Sequence, residues 1–549
     1  MKHKLLKEGS TRRMKISRIS FSLGLVLLAA AGGCFMHGSD QFYDGLCSGG
    51  LRPGGLRPGG LRPGGRMGPF GTVYAGKNPP SRPEQPCEEA LTRKEVAESL
   101  DTHNLLYSGR MVNDADPSLL TVPEHLAAAV GRDFTVARTP PEIDFAIIPV
   151  EPRWPYVYHN QYRSGWWGNY CQPAYDPASG KFYSAVADHG ARDARLYMVE
   201  YDPAARQVQC RAEFNYSLGR GRDDFGDGII HGWLDFFQTP GMPRPQIWFC
   251  SYWAKFPEPS EADYATGYDG GHIVSYDPVA NLFVDYGAPL PRTSWPFHHL
   301  DANRGMLYAV SFRNEFLAWN IRQQRAEWAG YLPEGMLWNN RAILVDSNSG
   351  CVFTSNDEPG DRQRRMICYN DADKHFSLLD CHMPSNPVTG TFDRLRGHTR
   401  ERGPDGLFWA ATESGALFTF DPDRREIKPR GLNWPGPAGT RRSTTTMARS
   451  PQGRYLYYNI MSYQDGSPVI QYDTKTDTRK VLAFLYPYYH AKYGYIPTGS
   501  YSFALDEHGA GLFIVWNGAF IHPAPNIGVD FWGHCSIMYL KIPESERME

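Results

Sequence analysis

From about residue 144 to the end of the chain, apolar and polar positions alternate in runs of four to seven residues broken by Asp, Gly, Asn and Pro. Runs this short, rich in β-branched and aromatic residues, suit a pleated strand and are too brief for a stable helix. The stretch 294–330 shows the unit most plainly. It predicts four successive strands: one opened by His298-His299-Leu300-Asp301, then Met306–Ser311, Phe316–Asn320 and Arg325–Ala329, with Gly305 in the first turn. A four-stranded meander cannot bury both of its faces alone, so copies must stack on either side.

The copies are present. The third strand tends to finish in an aromatic residue followed by Asp-Pro, as at Tyr201, Tyr276 and Phe420, with weaker forms at Trp319, Tyr369 and Tyr472. Asp can accept backbone N–H groups in the turn, and Pro presets φ at the next position. From Tyr276 onward these landmarks fall 43, 50, 51 and 52 residues apart, the period of a propeller blade. Inner strands are expected near Gly168, His231, His298, Asn339, His398, Thr444 and Ser500, which makes seven copies. The last copy ends at Ser536–Lys541 without a fourth strand, and Asp144–Val150 could supply it from the other end of the domain, leaving no long open edge. The fold class expected is therefore all-β, a seven-bladed β-propeller over 144–549.

The region before it reads differently. Residues 1–33 carry seven Lys/Arg against Glu8 and the apolar run Phe21–Ala31, the pattern of a signal peptide. Ala30-Ala31-Gly32-Gly33-Cys34 resembles a lipoprotein box with Cys34 as the lipidated residue, and cleavage after Ala31 is the alternative. The expected location is outside the cytoplasm, in the periplasm or as an outer-membrane lipoprotein held by its lipid alone. Residues 34–86, with three Leu-Arg-Pro-Gly-Gly repeats, read as a flexible tether. Residues 87–143 read as a helical segment, from apolar spacing in Glu88–Leu100 and Pro123–Val130.

Charge adds one exclusion. The net charge of −2 contains the basic leader, and outside it fifty basic residues face fifty-eight acidic ones, which gives no support to a nucleic-acid partner. The ten cysteines show no CxxC or zinc spacing. In an oxidising compartment some could pair, whereas Cys250, Cys351 and Cys368 fall inside strand runs and read as small buried hydrophobes.

Chemistry concentrates at the inner-strand starts, which line the central channel of a propeller. His231, His298, His299, His398, Arg341, Arg400, Tyr170, Tyr501 and Asn340 fall there, in place of small or apolar residues. Two chemistries suit the set. In β-elimination on a uronic-acid polysaccharide, His298 or His231 (with His299 beside) would be the base, since an imidazole titrates near ~6.5. Arg341 and Arg400 would clamp the carboxylate, and Tyr501 or Tyr170 would be the acid. Alternatively His231, His298 or His299, and His398 could hold a divalent Mn, Fe or Zn ion. Trp233, Trp295 and Trp338 lie at strand ends and could stack on sugar rings; inter-blade packing is the other use of such residues. Equally, an inner-strand His can simply hydrogen-bond the next blade, and Arg400-Glu401-Arg402 can bridge blades.

The segments GGHIVSYDP (270–278), ERGPDGLFWAATESGALFTFDP (401–422), ARSPQGRYLYY (448–458) and YSFALDEHGAGLFIVWNG (501–518) resemble secreted bacterial propellers of the YVTN/lactonase-like and propeller polysaccharide-lyase type. That resemblance implies the fold and, among seven-bladed members, lyases using His, Tyr and Arg or a His-bound metal. The function expected is binding or β-eliminative cleavage of an acidic carbohydrate; the alternative is a non-catalytic glycan- or protein-binding scaffold of the cell envelope.

Overall fold

The structure, a computed structural model, describes residues 72–75, 108–149, 167–188, 194–221, 224–253, 258–436, 443–520 and 534–547. The leader, Cys34, nearly all of the tether and the expected helix Glu88–Leu100 lie outside these residues.

Seven antiparallel sheets form a ring, the β-propeller that the periodicity predicts. In chain order, blade 1 runs from Trp167 to Glu213, blade 2 from Asp235 to Asp285 and blade 3 from Phe297 to Tyr331. Blade 4 spans Leu344–His382, blade 5 Leu395–Leu432, blade 6 Ala448–Phe484 and blade 7 begins at Tyr495. The unit first read at 294–330 is blade 3, with strands Phe297–Asp301, Met306–Val310, Glu315–Asn320 and Arg325–Tyr331 in simple up-and-down order. The turn chemistry works as its residues require. Asp202, Asp277 and Asp421 each accept backbone N–H groups two residues on, at 2.9, 2.9 and 3.0 Å.

Ring closure uses both ends of the domain. Ser536–Lys541 pairs antiparallel with Glu142–Ile147, so blade 7 borrows its fourth strand from the N-terminal side. The described part of 87–143 departs from the helical expectation. It holds two short 3-10 turns, Pro117–Leu120 and Glu124–Ala129, and otherwise adds strands to blade edges. Val112–Asp114 extends blade 7 and Thr135–Val136 runs parallel to the outer strand of blade 6. Thr72–Ala75, within the expected tether, pairs with Leu282–Asp285 of blade 2. The reason is geometric: outer strands present unpaired N–H and C=O groups, and an extended segment passing along the rim satisfies them.

Neighbouring inner strands approach closely. A Cβ on Gly232 would stand 2.4 Å from the His298 carbonyl oxygen, and one on Gly397 would stand 2.2 Å from that of Thr444. Only glycine fits there, and the seams it allows hold adjacent blades together through backbone bonds, as from Trp233 N–H to His298 C=O at 3.1 Å.

Candidate functional site

Side chains of a strand point alternately to its two faces, so inner-strand residues two apart line the axis in successive layers. In blade 2 that series is His231, Trp233, Asp235, and in blade 5 it is Arg396, His398, Arg400. Contacts between these series skip intervening blades and therefore cross the axis.

The first layer, at the end of the channel where the inner strands start (the mouth), is a buried polar cluster. Tyr170 of blade 1 stacks on His231 with ring centroids 5.6 Å apart, and Tyr501 of blade 7 meets His231 edge-on at 5.6 Å. The two tyrosine rings lie 4.9 Å apart. From blade 4, Arg341 places Nη1 3.3 Å from His231 Nε2. A guanidinium only donates, so Nε2 accepts and the imidazole proton belongs on Nδ1. From blade 5, Arg396 Nη2 donates to the Tyr501 hydroxyl at 3.3 Å, with its guanidinium 5.3 Å from the ring centre. Glu413 stands behind it, its Oε2 3.0 Å from Arg396 Nε and its Oε1 accepting from Ser443 Oγ at 3.3 Å. None of Tyr170, His231, Arg341, Arg396 and Tyr501 is more than 4% exposed. An acid–base group, two hydroxyls and two fixed cations thus share one small volume.

The layers further along the inner strands (the floor) end at Arg400, which is partly exposed. Trp233 stacks on His299 of blade 3 at 5.2 Å and lies 5.9 Å from His398 of blade 5. Arg400 covers the Trp233 ring at 5.3 Å and is paired across the axis with the buried carboxylate of Asp235. Arg400, expected beside Arg341 as a clamp, is thus occupied two layers further along the strand, with its guanidinium partly exposed. Burial holds His398 down to about 4 despite its bond to the Thr399 carbonyl, and pushes His299 well below the ordinary imidazole value, with the Arg400 charge adding to the effect.

His298, expected as a base, has the opposite parity to His299 and faces away from the axis. Its Nε2 accepts the Cys250 N–H at 3.4 Å, and burial lowers it to about 3. Trp295 donates to the Gly271 carbonyl at 3.2 Å inside the core shared by blades 2 and 3. Trp338 stacks on Phe316 at 5.1 Å in the core between blades 3 and 4. Asn340 is half-buried beside Arg341. Among the described residues no three His, Cys, Asp or Glu side chains gather as metal ligands, and His231, His298 and His398 do not converge on one point. Arg396 escaped the sequence reading although it stands two residues before His398, at the same parity. Glu413, in the turn after the second strand of blade 5, carried no positional signal at all.

No family model matches the chain, and no curated protein matches it. Among solved structures, one described as the structure of U3-55K is similar, with 10% identity, 67% of this chain and 94% of that chain covered, and a TM-score of 0.40. A likeness at that level carries no argument about function.

Proposed function

We propose that the chain is an exported propeller that receives an acidic carbohydrate at the axial mouth and cleaves it by β-elimination. The observation that carries this reading is the convergence of His231, Tyr170, Tyr501, Arg341 and Arg396 from five different blades. Arg341 holds the Nε2 lone pair of His231. A bound uronate carboxylate competes for the same guanidinium through charge-assisted bonds, which are about twice as strong as neutral ones. The lone pair is then released toward the proton on the carbon next to the carboxylate. His231 takes that proton, Arg341 and Arg396 hold the carboxylate as charge develops, the C–O bond to the departing sugar breaks, and a C=C bond forms. Tyr501, whose oxygen accepts from Arg396, protonates the departing oxygen from its O–H. Cys34, by its sequence context, anchors the protein by lipid in the cell envelope.

The test is a panel of polyuronides monitored for the ultraviolet absorbance of the unsaturated product. Product formation with wild type and its loss in His231→Ala and Tyr501→Phe support the proposal. Retention of a polyuronide without cleavage overturns the lyase reading in favour of a binding scaffold, and neither retention nor cleavage overturns both. Recovery of Cys34→Ala in the soluble fraction, with wild type in membranes, tests the anchor.

A further inference from the structure

Blade 4 carries two thiols whose placement has nothing to do with the axial mouth. In its second and third strands Cys351 lies opposite Asn370 and Phe353 lies opposite Cys368. Cys351 and Cys368 are therefore diagonal neighbours on one face of the sheet, the face packed against Phe408, Phe418 and Phe420 of blade 5. The two thiols are close enough to act on one another's acidity. Cys351 is half-buried and opens its strand, within reach of solvent, whereas Cys368 is buried beneath it. Around Cys351 stand the Ser349 hydroxyl, whose oxygen also accepts the Cys351 backbone N–H at 3.2 Å, the Arg425 guanidinium and, as the one opposing charge, Asp346. Arg425 is fixed where it is by the hairpin of blade 5, in which it takes a left-handed φ of 56°.

We propose that Cys351 and Cys368 are a reversible dithiol–disulfide pair that reacts with small disulfides such as oxidised glutathione, Cys351 attacking and Cys368 resolving. The Cys351 thiolate attacks one sulfur of the small disulfide, its S–S bond breaks, and one thiolate leaves. Cys368 then gives up its proton and attacks the Cys351 sulfur of the mixed disulfide, releasing the second thiol. Two protein thiols are oxidised and one small disulfide is reduced to two thiols. A reactive pair of this kind needs an accessible thiolate beside a resolving thiol. Interaction with Cys368, then the Ser349 hydroxyl and the Arg425 charge, bring the Cys351 thiol below its ordinary value against burial, while Cys351 and burial push Cys368 up. The remaining described thiols contrast with it: burial pushes Cys381 up to about 11 and Cys210 up to about 12, and holds Cys250 and Cys535 higher still. A diagonal pair on a sheet is spaced at about 7–8 Å between Cα atoms, slightly wider than a relaxed disulfide. Closing it draws the two strands together and makes the bond easy to reduce again.

The experiment treats the intact protein with oxidised glutathione and maps it by mass spectrometry. Trypsin cuts after Arg362, Arg364 and Arg365, so a 351–368 disulfide survives as two linked peptides. The expected result is that linkage in wild type, reversed by a dithiol reductant, and a glutathione adduct retained on Cys351 in Cys368→Ser. Alkylation of wild type at graded pH is the second measurement, which needs no variant to fold. Cys351 is expected to react at half-maximal rate at least one pH unit below an ordinary thiol at ~8.5. Linkage to a different cysteine, no linkage, or an alkylation midpoint at or above the ordinary value overturns the proposal.

Discussion

The mouth and the floor of the axial channel are built from the same kinds of side chain, His, Arg and an aromatic ring, and they are arranged to opposite ends. At the mouth, Arg341 meets the neutral ring of His231, and Arg396 reaches Tyr501 while its Nε is paired with Glu413. At the floor, Arg400 is neutralised by Asp235 and laid over Trp233, and His299 and His398 are buried as neutral rings around the same indole. Composition alone does not separate the two layers; the partner of Arg341 set against that of Arg400 does.

That contrast is broken most directly at His231. If the mouth is the chemical layer, His231→Ala lowers the elimination rate by about 10²–10⁴-fold, the usual worth of a positioned base. His299→Phe, which keeps a flat ring against Trp233, leaves the rate within a few-fold. Equal losses in both, measured as kcat/KM on the best polyuronide, would erase the distinction.

Next in size is the acid response of the buried imidazoles. For His298, His299 and His398 the folded values lie below the unfolded value of ~6.5, so protonation favours the unfolded chain. Their neutral forms add no loss above that value, and stability falls as pH drops from ~6.5 toward the folded values, by up to about 4 kcal/mol per pH unit for the three together. His272 in blade 2 has the opposite sign. Burial opposes its charge, but bonds to Asp269 at 2.6 Å and Asp285 at 2.8 Å prevail and raise it to about 9. Its contribution is complete below ~6.5 and is lost as pH rises through about 9. Urea midpoints across pH should therefore peak at ~6.5 and fall on both sides. His398→Gln shallows only the acid limb, and Asp285→Asn only the alkaline one.

Smaller again is Asp235→Asn. It leaves Arg400 without its carboxylate, and since that guanidinium is 38% exposed the expected cost is about 1–3 kcal/mol in urea unfolding, with ligand binding at the mouth unchanged. The smallest effect is that of Trp338→Phe. This residue packs between blades 3 and 4, so a loss of stability within about 3 kcal/mol and an unchanged KM are expected. A several-fold change in KM would return Trp338 to the sugar-binding set.

Much of the propeller was legible because its signals are local. The Asp-Pro turns, the spacing of the landmarks and the missing fourth strand of the last copy each stand in a few adjacent residues, and Ser536–Lys541 does find its partner near Asp144. The site was legible only in part. His231, Arg341, Tyr170 and Tyr501 were named from their place at inner-strand starts, and strand parity, also written in the sequence, would have set His298 apart from His299 and drawn in Arg396. Glu413 could not have been found that way, because it reaches the mouth from the turn after a second strand. Nor could the strand at Thr72–Ala75, which depends on an exposed edge far away in sequence.

By itself the sequence determined the blade: how long each strand is, where each turn falls and which residues share a face, all consequences of a two-residue period and of short-range turn chemistry. Only the tertiary structure decided which cation meets which ring, because that choice depends on side chains more than a hundred positions apart meeting across one axis. Arg341 with His231 and Arg400 with Asp235 are the two outcomes, and the difference between a site and a seal lies in those pairings.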